Sequence, residues 1–503
     1  MKAVSTEQIR QLDQRAIASG IPGEELMERA GFAVARAAVE FLKKRDSRSA
    51  LLLAGKGNNG GDAIVAARHL AGAGCRPVLV LMCRRDELQG DALLHAQRLV
   101  SGVALHEMPG LEQLRQIVAE TAPAVVVDGL LGTGLRGDVR EPYAGAIRFI
   151  NELGLPVVAI DVPSGIDSDT GAAHGPCVRA DVTVTMGLPK IGLLQPAATD
   201  SVGSLRVADI GFPASFVAEI QTDVELLTAG DVAPLLPRRR PSSNKGDYGH
   251  LLVIAGSEGY TGAPVLCAHA AARSGAGLVT LAVPRSIYPI VAAQCPPEIM
   301  PRPVDDWDAL PAEAGNFDAL AVGPGLGQRP EVQKLVAKMV EAGSAPMVVD
   351  ADALNVLARD MGVLRKARSP LVMTPHPGEM GRLIGKTAKD VQAHRWEVAR
   401  NFAAEHDVVL ALKGAGTVVT DRTGKLWINS TGNPGMARGG MGDALTGMIG
   451  ALLAQGLDAG VAARAGVFLH GLAGDLVRER HGERSMQAGD LIACLGAAFE
   501  TLG

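Results

Sequence analysis

Short apolar runs alternate with amphipathic segments through most of the chain, and this alternation predicts its fold. Two helices are expected within residues 5–45, where apolar side chains recur at helical spacing and Ile21-Pro-Gly interrupts them. From residue 50 onward, helical patterns separate short apolar runs that are typical of buried strands. The predicted strands of the first half are Ala50–Ala54, Pro77–Met82, Ala124–Asp128, Pro156–Asp161, Val182–Met186 and Leu205–Val207.

The second half of the chain repeats the alternation and adds a hairpin. Its predicted strands are Leu251–Ala255, Leu278–Val283, Ala319–Val322, Met347–Asp350, Leu371–Thr374, Val408–Leu412, Thr417–Thr420 and Lys425–Asn429. Apolar helices are expected over residues 444–453, 459–476 and 489–502. Apolar strands separated by helices favour parallel sheets covered on both faces. The sequence therefore predicts an α/β protein built on doubly wound parallel sheets.

The chain between the two halves has a different composition. Residues 227–250 contain three prolines, a run of three arginines and several small polar residues. Because proline and polar clusters punctuate regular structure, this segment indicates a domain boundary. We expect a first domain over residues 1–215, a linker over residues 216–240 and a second domain over residues 241–503.

Composition and charge narrow the range of partners. Hydrophobic residues make up 47% and charged residues 20% of the chain, which is typical of packed globular domains. A net charge of −5 indicates no nucleic-acid partner. The six cysteines are scattered without a Cys-x-x-Cys pair, which argues against zinc and disulfides and fits a reducing cytoplasm. With a polar N-terminus and no apolar run of about 18 residues, we expect a cytoplasmic protein without a membrane span.

A glycine-rich stretch, residues 431–447, carries the strongest chemical signal of the second half. It strings glycines through a turn that opens a helix, and it places Asp443 at the helix start. Backbone N–H groups of such a turn can face an anion, and the helix dipole adds partial positive charge. Asp443 would repel a phosphate but could take a proton from a hydroxyl that attacks phosphorus. The alternative is that Asp443 only caps the helix, as Asp often does.

Three polar, glycine-rich loops follow predicted strands of the first half. They are Gly55–Asp62, Asp128–Asp138 and Asp161–Asp167. Ligands of doubly wound sheets bind beyond the carboxyl ends of the strands, so three such loops on one edge predict a binding site. Each loop alone could be a surface turn. The first loop matches neither the dinucleotide fingerprint nor the Walker loop.

Polar sequence also follows predicted strands of the second half. Gly323–Gly327 is a turn where no side chain blocks a ligand, and Asp350–Asn355 begins with two carboxylates. Lys413–Thr417 combines a lysine with glycines and a threonine, as a phosphate cradle would. His376 stands between two prolines in a fixed turn, which favours a substrate contact. Glu379 could begin a helix or reach magnesium through water.

The loops of the first half resemble the signature loops of the NAD(P)H-hydrate epimerase family, the YjeF N-terminal domain. The matching segments are Asn58–Asp62, Asp128–Gly134 and Asp161–Gly165, and the resemblance covers roughly residues 1–215. It implies a Rossmann-like fold and an enzyme that interconverts the R and S forms of hydrated NADH or NADPH at C6 of the nicotinamide ring.

The same resemblance assigns roles to individual residues of the first half. Acid–base chemistry near C6 falls to Asp161. Some family members have a lysine where this chain has Arg136. Arginine keeps its proton at neutral pH, so Arg136 is not expected to transfer a proton, and a phosphate contact stays open for it. A potassium ion would be held by Asn59, Asp128 and Ser164. The hydrated dinucleotide would be held by Asn58, Asn59, Gly60, Gly61, Asp62, Gly132, Thr133, Gly134, Leu135, Arg136, Gly137, Asp138, Tyr143 and Asp161.

The second half resembles the ADP- or ATP-dependent NAD(P)H-hydrate dehydratases, which have a ribokinase-like fold. The matching motifs, over roughly residues 225–503, are Gly323–Gly327, Asp350–Asn355, Thr374–Glu379, Lys413–Thr417 and Asn433–Asp443. The resemblance implies that Asp443 is the catalytic base and that Mg²⁺ accompanies the nucleotide phosphates. The nucleotide, which we expect to be ADP, would be held by Lys413, Gly414, Ala415, Gly416, Thr417 and Gly442. The hydrated cofactor would contact Ala263, Gly325, His376 and Asp443.

The order of the two halves matches the fused bacterial repair enzymes. The resemblance then implies epimerisation of R and S hydrates of NADH and NADPH (NADHX and NADPHX), followed by dehydration of the S form with conversion of ADP to AMP and phosphate. It also implies a homo-oligomer. Two alternatives stay open: a ribokinase-like small-molecule kinase fused to a nucleotide-binding module, and a non-enzymatic first half that senses nucleotides or binds a protein.

Overall fold

The computed structural model describes residues 1–503, and the chain divides into two compact units. One unit is Lys2–Val224, and the other is Glu225–Gly503 together with Met1. Where the sequence predicts a linker over residues 216–240, the structure has the end of one helix, a strand and a further short helix. The irregular parts are residues 220–223 and the segment around Arg238–Arg240, so the prolines of this region end short elements rather than mark a long connection.

The first unit is built on a seven-stranded parallel sheet. Its strands are β1 (Ser49–Ala54), β2 (Arg76–Leu81), β3 (Ala104–Glu107), β4 (Val125–Gly129), β5 (Val157–Ile160), β6 (Val182–Met186) and β7 (Ser204–Ala208). Its helices are α1 (Thr6–Ala18), α2 (Gly23–Lys44), α3 (Asn58–Gly72), α4 (Gly90–Gln97), α5 (Leu111–Thr121), α6 (Tyr143–Glu152), α7 (Thr199–Val202) and α8 (Ala214–Glu219). The strand order is β3-β2-β1-β4-β5-β6-β7, with parallel pairing throughout.

Helices cover both faces of this sheet, which confirms the doubly wound architecture. Along β1, Leu52 packs in one apolar cluster with side chains of α2 and α3. Its neighbours Leu51 and Leu53 point to the other face and pack with α5 and α6. The pattern of β1 is apolar at every position because both of its faces are buried.

Two local features of the first unit differ from the predictions. The edge strand β3 was not predicted, because Ala104-Leu-His-Glu is a half-exposed edge sequence without an apolar run. Helix α3 begins at Asn58, so the segment Asn58–Asp62 forms the first turns of the helix rather than a loop before it. Helix α1 begins differently, because Ser5 and Gln8 exchange the two hydrogen bonds of a capping box at its N-terminus.

The second unit is built on a ten-stranded sheet. Its strands are β8 (Val224–Leu227), β9 (His250–Ile254), β10 (Leu278–Pro284), β11 (Ile299–Val304), β12 (Ala319–Val322), β13 (Met347–Val349), β14 (Leu371–Met373), β15 (Val409–Leu412), β16 (Val418–Thr420) and β17 (Leu426–Asn429). The strand order is β11-β10-β9-β12-β13-β14-β15-β16-β17-β8. The first seven strands in this order, from β11 through β10 and β9 to β15, pair in parallel. Strands β15, β16 and β17 pair in antiparallel fashion, as the predicted hairpin requires.

The second unit contains twelve α-helices. They are α9 (Ala229–Val232), α10 (Gly262–Arg273), α11 (Tyr288–Gln294), α12 (Leu310–Glu313), α13 (Pro330–Ala342), α14 (Asp352–Leu357), α15 (Pro377–Ile384), α16 (Ala388–Ala393), α17 (Arg395–His406), α18 (Met441–Ala454), α19 (Ala459–His481) and α20 (Ala488–Glu500). Helix α18 packs against β9, β12 and β13 and against α10 and α19. None of the helices combines the length and apolar character that a membrane span requires.

Candidate active sites

The first site lies where the strand order of the first sheet reverses, between β1 and β4. Gly55, after β1, donates its N–H to the carbonyl of Gly129 at 2.9 Å. A side chain at Gly55 would lie 2.0 Å from the carbonyl oxygen of Leu130, so only glycine permits this approach. The loops after β1 and β4 are therefore in direct contact, as expected for a binding site at a switch point.

Asn59 joins three strand ends at this edge. Its side-chain amide donates to the carbonyl of Leu131 at 3.1 Å and to the carbonyl of Ile160 at 2.7 Å. A side chain at Gly132 would lie 2.3 Å from Asn59 Oδ1, so Gly132 leaves room for the amide. The structure thus brings the three loops that the sequence singles out to one place.

The other predicted substrate contacts divide into two groups. Gly60 and Gly61 are buried in the first turns of α3, where side chains would meet the carbonyl of Gly55 and the thioether of Met27. Glycine at these two positions therefore permits close packing between chain segments. Other residues of this set are exposed or half-buried, namely Asn58, Thr133, Gly134, Leu135, Arg136, Gly137, Asp138 and Tyr143. Burial raises the pKa of the Tyr143 phenol, and a hydrogen bond from the backbone of Lys56 opposes this shift.

Asp161 is held by a buried lysine that the sequence pattern did not reveal. Its Oδ1 accepts hydrogen bonds from Thr185 Oγ1 and Met186 N, each at 3.0 Å, and forms an ion pair with Lys190 Nζ. Lys190 is only 1% exposed and also donates to the carbonyl of Met186 at 3.0 Å. Asp161 has φ of +61°, a strained conformation for a residue with a side chain. The available signal was a lysine four residues after the strand Val182–Met186.

Asp128 is a buried carboxylate without a basic partner. It is 0% exposed and accepts hydrogen bonds from Ser164 N at 2.8 Å, Ser164 Oγ at 2.6 Å and Leu130 N at 3.2 Å. Burial raises its pKa to about 6, and the bonds from Ser164 and Leu130 oppose this. A monovalent cation would compensate the charge, and Asn59 and the Leu131 carbonyl add neutral oxygens near Ser164. These residues fit potassium, whereas no group of three His, Cys, Asp or Glu side chains offers a site for a transition metal.

The second site lies where the order of the second sheet reverses, between β9 and β12. Gly256 donates its N–H to the carbonyl of Pro324 at 2.9 Å, and Ser257 Oγ donates to the carbonyl of Gly325 at 2.7 Å. Gly325 has φ of +62°, and a side chain there would lie 3.1 Å from the Ala263 side chain. The structure therefore places two of the predicted substrate residues side by side.

A buried ion pair stands at the ends of β13 and β15. Lys413 Nζ lies 2.6 Å from Asp350 Oδ1 and 3.8 Å from Glu379 Oε2. Asp350 is 1% exposed, and its second oxygen accepts a hydrogen bond from Thr446 Oγ1 of α18 at 2.7 Å. Burial lowers the pKa of Lys413, but the charges of Asp350 and Glu379 raise it by more. The predicted nucleotide-binding lysine is therefore a fixed cation beside α18.

Asp443 stands in the first turn of α18 with a free carboxyl group. The cap residue is Gly440, with φ of +90°, so Asp443 is not the N-cap. The Asp443 carboxyl makes no hydrogen bond or ion pair within the chain. Burial and the charge of Asp350 raise its pKa to about 7, while Lys413 opposes this shift. A carboxylate whose pKa lies near neutral pH is suited to general base catalysis.

His376 and Glu379 have clear structural roles at the start of α15. His376 Nδ1 accepts from Gly378 N at 3.0 Å, and Glu379 Oε2 accepts from His376 N at 2.8 Å. Burial and the charge of Lys413 lower the pKa of His376, so the imidazole is neutral and carries its proton on Nε2. The substrate contact predicted for His376 stays a prediction, and it falls to Nε2.

The predicted phosphate cradle is a turn between β15 and β16. Gly414, Ala415 and Gly416 are exposed, and Thr417 Oγ1 donates to the carbonyl of Gly414 at 3.0 Å. Beneath the turn, the buried Arg395 donates to the carbonyl of Leu412 at 2.9 Å, and a side chain at Gly414 would strike it. The sequence pattern gave no signal for Arg395, because it lies in a charged helix far from the turn in sequence.

Both units have the architecture of nucleotide-binding α/β enzymes, with polar side chains gathered at a switch point of each sheet. A family model described as NAD(P)H-hydrate dehydratase matches residues 251–496, and one described as YjeF-related protein N-terminus matches residues 23–192. The bifunctional NAD(P)H-hydrate repair enzyme Nnr of Moorella thermoacetica is 43% identical over 100% of this chain and 97% of its own length. Its counterpart from Escherichia coli K12 is 39% identical over 95% of this chain and 89% of its own length. The chain belongs to the family of bifunctional NAD(P)H-hydrate repair enzymes.

Solved structures agree with the second unit of the chain. The ADP/ATP-dependent NAD(P)H-hydrate dehydratase from Bacillus subtilis, co-crystallised with ATP/Mg²⁺, is 32% identical with a TM-score of 0.50. The match covers 56% of this chain and 100% of that one. A ribokinase-like superfamily protein from Enterococcus faecalis is 24% identical with a TM-score of 0.51, over 56% of this chain and 98% of that one. The ribokinase-like fold expected from the sequence is confirmed.

Proposed function

We propose that this protein repairs hydrated NAD(P)H in two reactions, one in each unit. The first unit epimerises the R and S hydrates at C6, and the second dehydrates the S hydrate to NAD(P)H with ADP as co-substrate. Family membership supports both reactions. The observation that carries the second reaction is the free Asp443 carboxyl in the first turn of α18, beside the buried Lys413–Asp350 pair.

In the dehydration, Asp443 removes the proton of the C6 hydroxyl, which then attacks the terminal phosphoryl group of ADP. AMP leaves, and the hydroxyl becomes a phosphate ester. The ester departs as inorganic phosphate with loss of a proton from C5, which restores the dihydropyridine ring. The N–H groups of the turn Gly440–Gly442 face the developing negative charge, and the helix dipole adds to their effect. Phosphate is a far better leaving group than hydroxide, so the nucleotide makes the elimination possible.

Lys413 and the turn Gly414–Thr417 would hold the nucleotide phosphates in this mechanism. The ion pair with Asp350 keeps the ammonium group in place before the nucleotide arrives. Magnesium on the phosphates would neutralise part of their charge. ADP rather than ATP as the physiological co-substrate is part of the proposal, and the solved dehydratase named for both nucleotides leaves the choice to experiment.

In the first unit, we assign Asn59, Asp128 and Ser164 to a potassium ion. The fully buried Asp128 supports this assignment because its carboxyl group accepts hydrogen bonds from Ser164 but has no cationic side chain as a partner. Potassium bound there would tie together the loops after β4 and β5. Asp161, held by Lys190, faces the same edge of the sheet and is the proposed base for chemistry at C6.

One experiment tests both reactions. An equal mixture of R and S hydrates, incubated with the protein, ADP and Mg²⁺, should be converted completely to NAD(P)H, as followed by absorbance of the reduced nicotinamide. If conversion stops at the S half and the remainder follows only slow spontaneous epimerisation, the first unit is not an epimerase. Replacing potassium with choline should slow repair of the R half alone. A stable phosphorylated product without NAD(P)H would instead support the small-molecule kinase.

The rate of dehydration should fall as the pH drops below about 7, because protonated Asp443 cannot accept the hydroxyl proton. The measurement is kcat/KM for the S hydrate from about pH 5 to about pH 9, where a single base gives a tenfold loss per pH unit. Because ADP also titrates, Asp352→Asn is the matched variant: Asp352 raises the pKa of Asp443, so its removal should move the limb to lower pH. A limb that stays in place would contradict the assignment.

A further inference from the structure

A buried arginine lies against the turn that the proposed function assigns to the nucleotide phosphates. Arg395 is the first residue of α17 and is 3% exposed. Its Nη2 donates to the carbonyl of Leu412 at 2.9 Å, and its Nη1 donates to the carbonyl of Lys413 at 3.3 Å. A side chain at Gly414 would collide with Nη1. The guanidinium group is therefore in contact with the backbone of the turn, on its buried side.

The charge of Arg395 has no acidic partner. The third acceptor of its guanidinium group is Gln392 Oε1 of α16, at 2.8 Å, so all of its hydrogen bonds go to neutral oxygens. Its Nε is buried and has no hydrogen bond. Burial lowers the pKa of Arg395 to about 10, and no carboxylate opposes this shift. The side chain stays protonated at neutral pH, so a full positive charge is enclosed beneath the turn.

An enclosed charge of this kind is unfavourable in the protein without its ligand. Removing an ion from water is costly unless an opposite charge compensates it. Arg395 also begins α17, where the helix dipole already places partial positive charge. Hydrogen bonds to the carbonyls of the turn do not require the charge, since a neutral amide can also donate to a carbonyl. The arrangement is thus suited to a negatively charged ligand bound on the turn.

The other cation at this turn is already balanced by acidic side chains. Lys413 Nζ lies 2.6 Å from Asp350 Oδ1 and 3.8 Å from Glu379 Oε2. Because one ammonium group faces two carboxyl groups, Lys413 leaves no excess positive charge for the phosphates. Arg395 has no carboxylate beside it and supplies that excess.

We propose that Arg395 makes nucleotide binding depend on the number of phosphate charges, an inference that rests on the proposed assignment of the turn Gly414–Thr417 to the nucleotide phosphates. Arg395 is a positioning residue: its guanidinium group acts through the turn and does not touch the ligand. ADP carries more negative charge than AMP, so the cation favours ADP. Because the proposed reaction converts ADP into AMP, this difference promotes binding of the co-substrate and release of the product.

Gln392→Glu in the full chain tests the proposal without removing a contact. The new side chain has the shape of the present amide and gives Arg395 a carboxylate partner, so stability in urea should rise. ADP affinity should fall about 10-fold, the order expected for cancelling one unit charge near the phosphates. AMP affinity should fall less, and adenosine affinity should not change. Isothermal titration calorimetry at one Mg²⁺ concentration, without hydrated cofactor, measures all three. Unchanged ADP affinity would overturn the proposal.

The next residue along α16 provides a matched control. Ala393 is exposed, and Ala393→Glu adds the same charge one position further along without an ion pair to Arg395. ADP affinity should change by less than about threefold, because solvent screens an exposed charge. A loss equal to that of Gln392→Glu would mean that any added negative charge repels the nucleotide, and the role of Arg395 would be refuted.

Arg395→Lys and Arg395→Gln separate the charge of this residue from its contacts. Both lose the fork that binds two carbonyls, but only lysine keeps the positive charge. ADP affinity should fall about 10–100-fold in Arg395→Gln and by much less in Arg395→Lys, with adenosine affinity unchanged in both. In steady state, Arg395→Gln should raise KM for ADP and leave kcat for the S hydrate little changed. Equal losses in the two variants, or for ADP and adenosine, would show that Arg395 only packs the turn.

The same ligands separate this proposal from the function on which it rests. If the unaltered protein binds ADP no more tightly than adenosine, the turn Gly414–Thr417 does not hold phosphates, and the nucleotide assignment itself fails. If the unaltered protein prefers ADP and Gln392→Glu keeps that preference in full, only the role of Arg395 fails.

Discussion

Asp443→Asn should reduce the rate of ADP-dependent dehydration by about 10²–10⁴-fold, the usual loss on removal of a general base. Asparagine preserves the shape of the side chain but cannot accept the C6 hydroxyl proton. The carboxyl makes no hydrogen bond in the chain, so the substitution should leave the stability of the second unit nearly unchanged. Initial rates with pure S hydrate, ADP and Mg²⁺ measure the effect, and KM for ADP should not rise because the variant removes a negative charge near the phosphates.

The chain contains a matched control for this substitution. Asp490 stands in the first turn of α20 within Ala488-Gly-Asp, as Asp443 stands in the first turn of α18 within Met441-Gly-Asp. Unlike Asp443, Asp490 is used for capping and accepts the N–H of Gln487 at 2.9 Å. Asp490→Asn keeps an oxygen that can accept this N–H and loses only a negative charge in the first turn, so it should lower stability by less than about 1 kcal/mol and leave dehydration intact. Near-normal turnover by Asp443→Asn would refute the base assignment.

The fold was predictable because its signals are local. Strands such as β1 and β12 are buried on both faces, so they appear in the sequence as uninterrupted apolar runs. The switch-point loops were visible because close approach of backbones requires glycine, as at Gly55 and Gly325. Edge strands were missed: β3 and β11 are half-exposed and lack that apolar signature.

The chemistry between distant residues was less predictable. The sequence shows Asp161 at a strand end, but not that Lys190 reaches its Oδ1. Likewise, Asp443 and Lys413 stand out as motif members, whereas the contact of Thr446 with Asp350 depends on how α18 lies on the sheet. Protonation depends on burial and on neighbours from other elements, which no spacing along the chain reveals.

Lys190→Met should destabilise the first unit by about 3–5 kcal/mol, the usual loss when one partner of a buried ion pair is removed. Lys190 is 1% exposed, and methionine would leave the Asp161 carboxylate without its cation. All three tryptophans, Trp307, Trp396 and Trp427, lie in the second unit. In urea, far-ultraviolet circular dichroism therefore follows both units and tryptophan fluorescence only the second. The dichroism transition should move to lower urea while the fluorescence transition stays in place.

Arg206→Met is the control for Lys190→Met, because it breaks a bidentate ion pair at the surface of the same unit. Arg206 binds both oxygens of Glu40 at 2.8 Å, but the two side chains are 42% and 50% exposed. Water and salt already screen this pair, so its loss should lower stability by less than about 1 kcal/mol. Equal losses of stability from the two substitutions would mean that the Lys190–Asp161 ion pair is not shielded from water. A large effect of Lys190→Met alone would show that the Asp161 carboxylate depends on the buried Lys190 ammonium group.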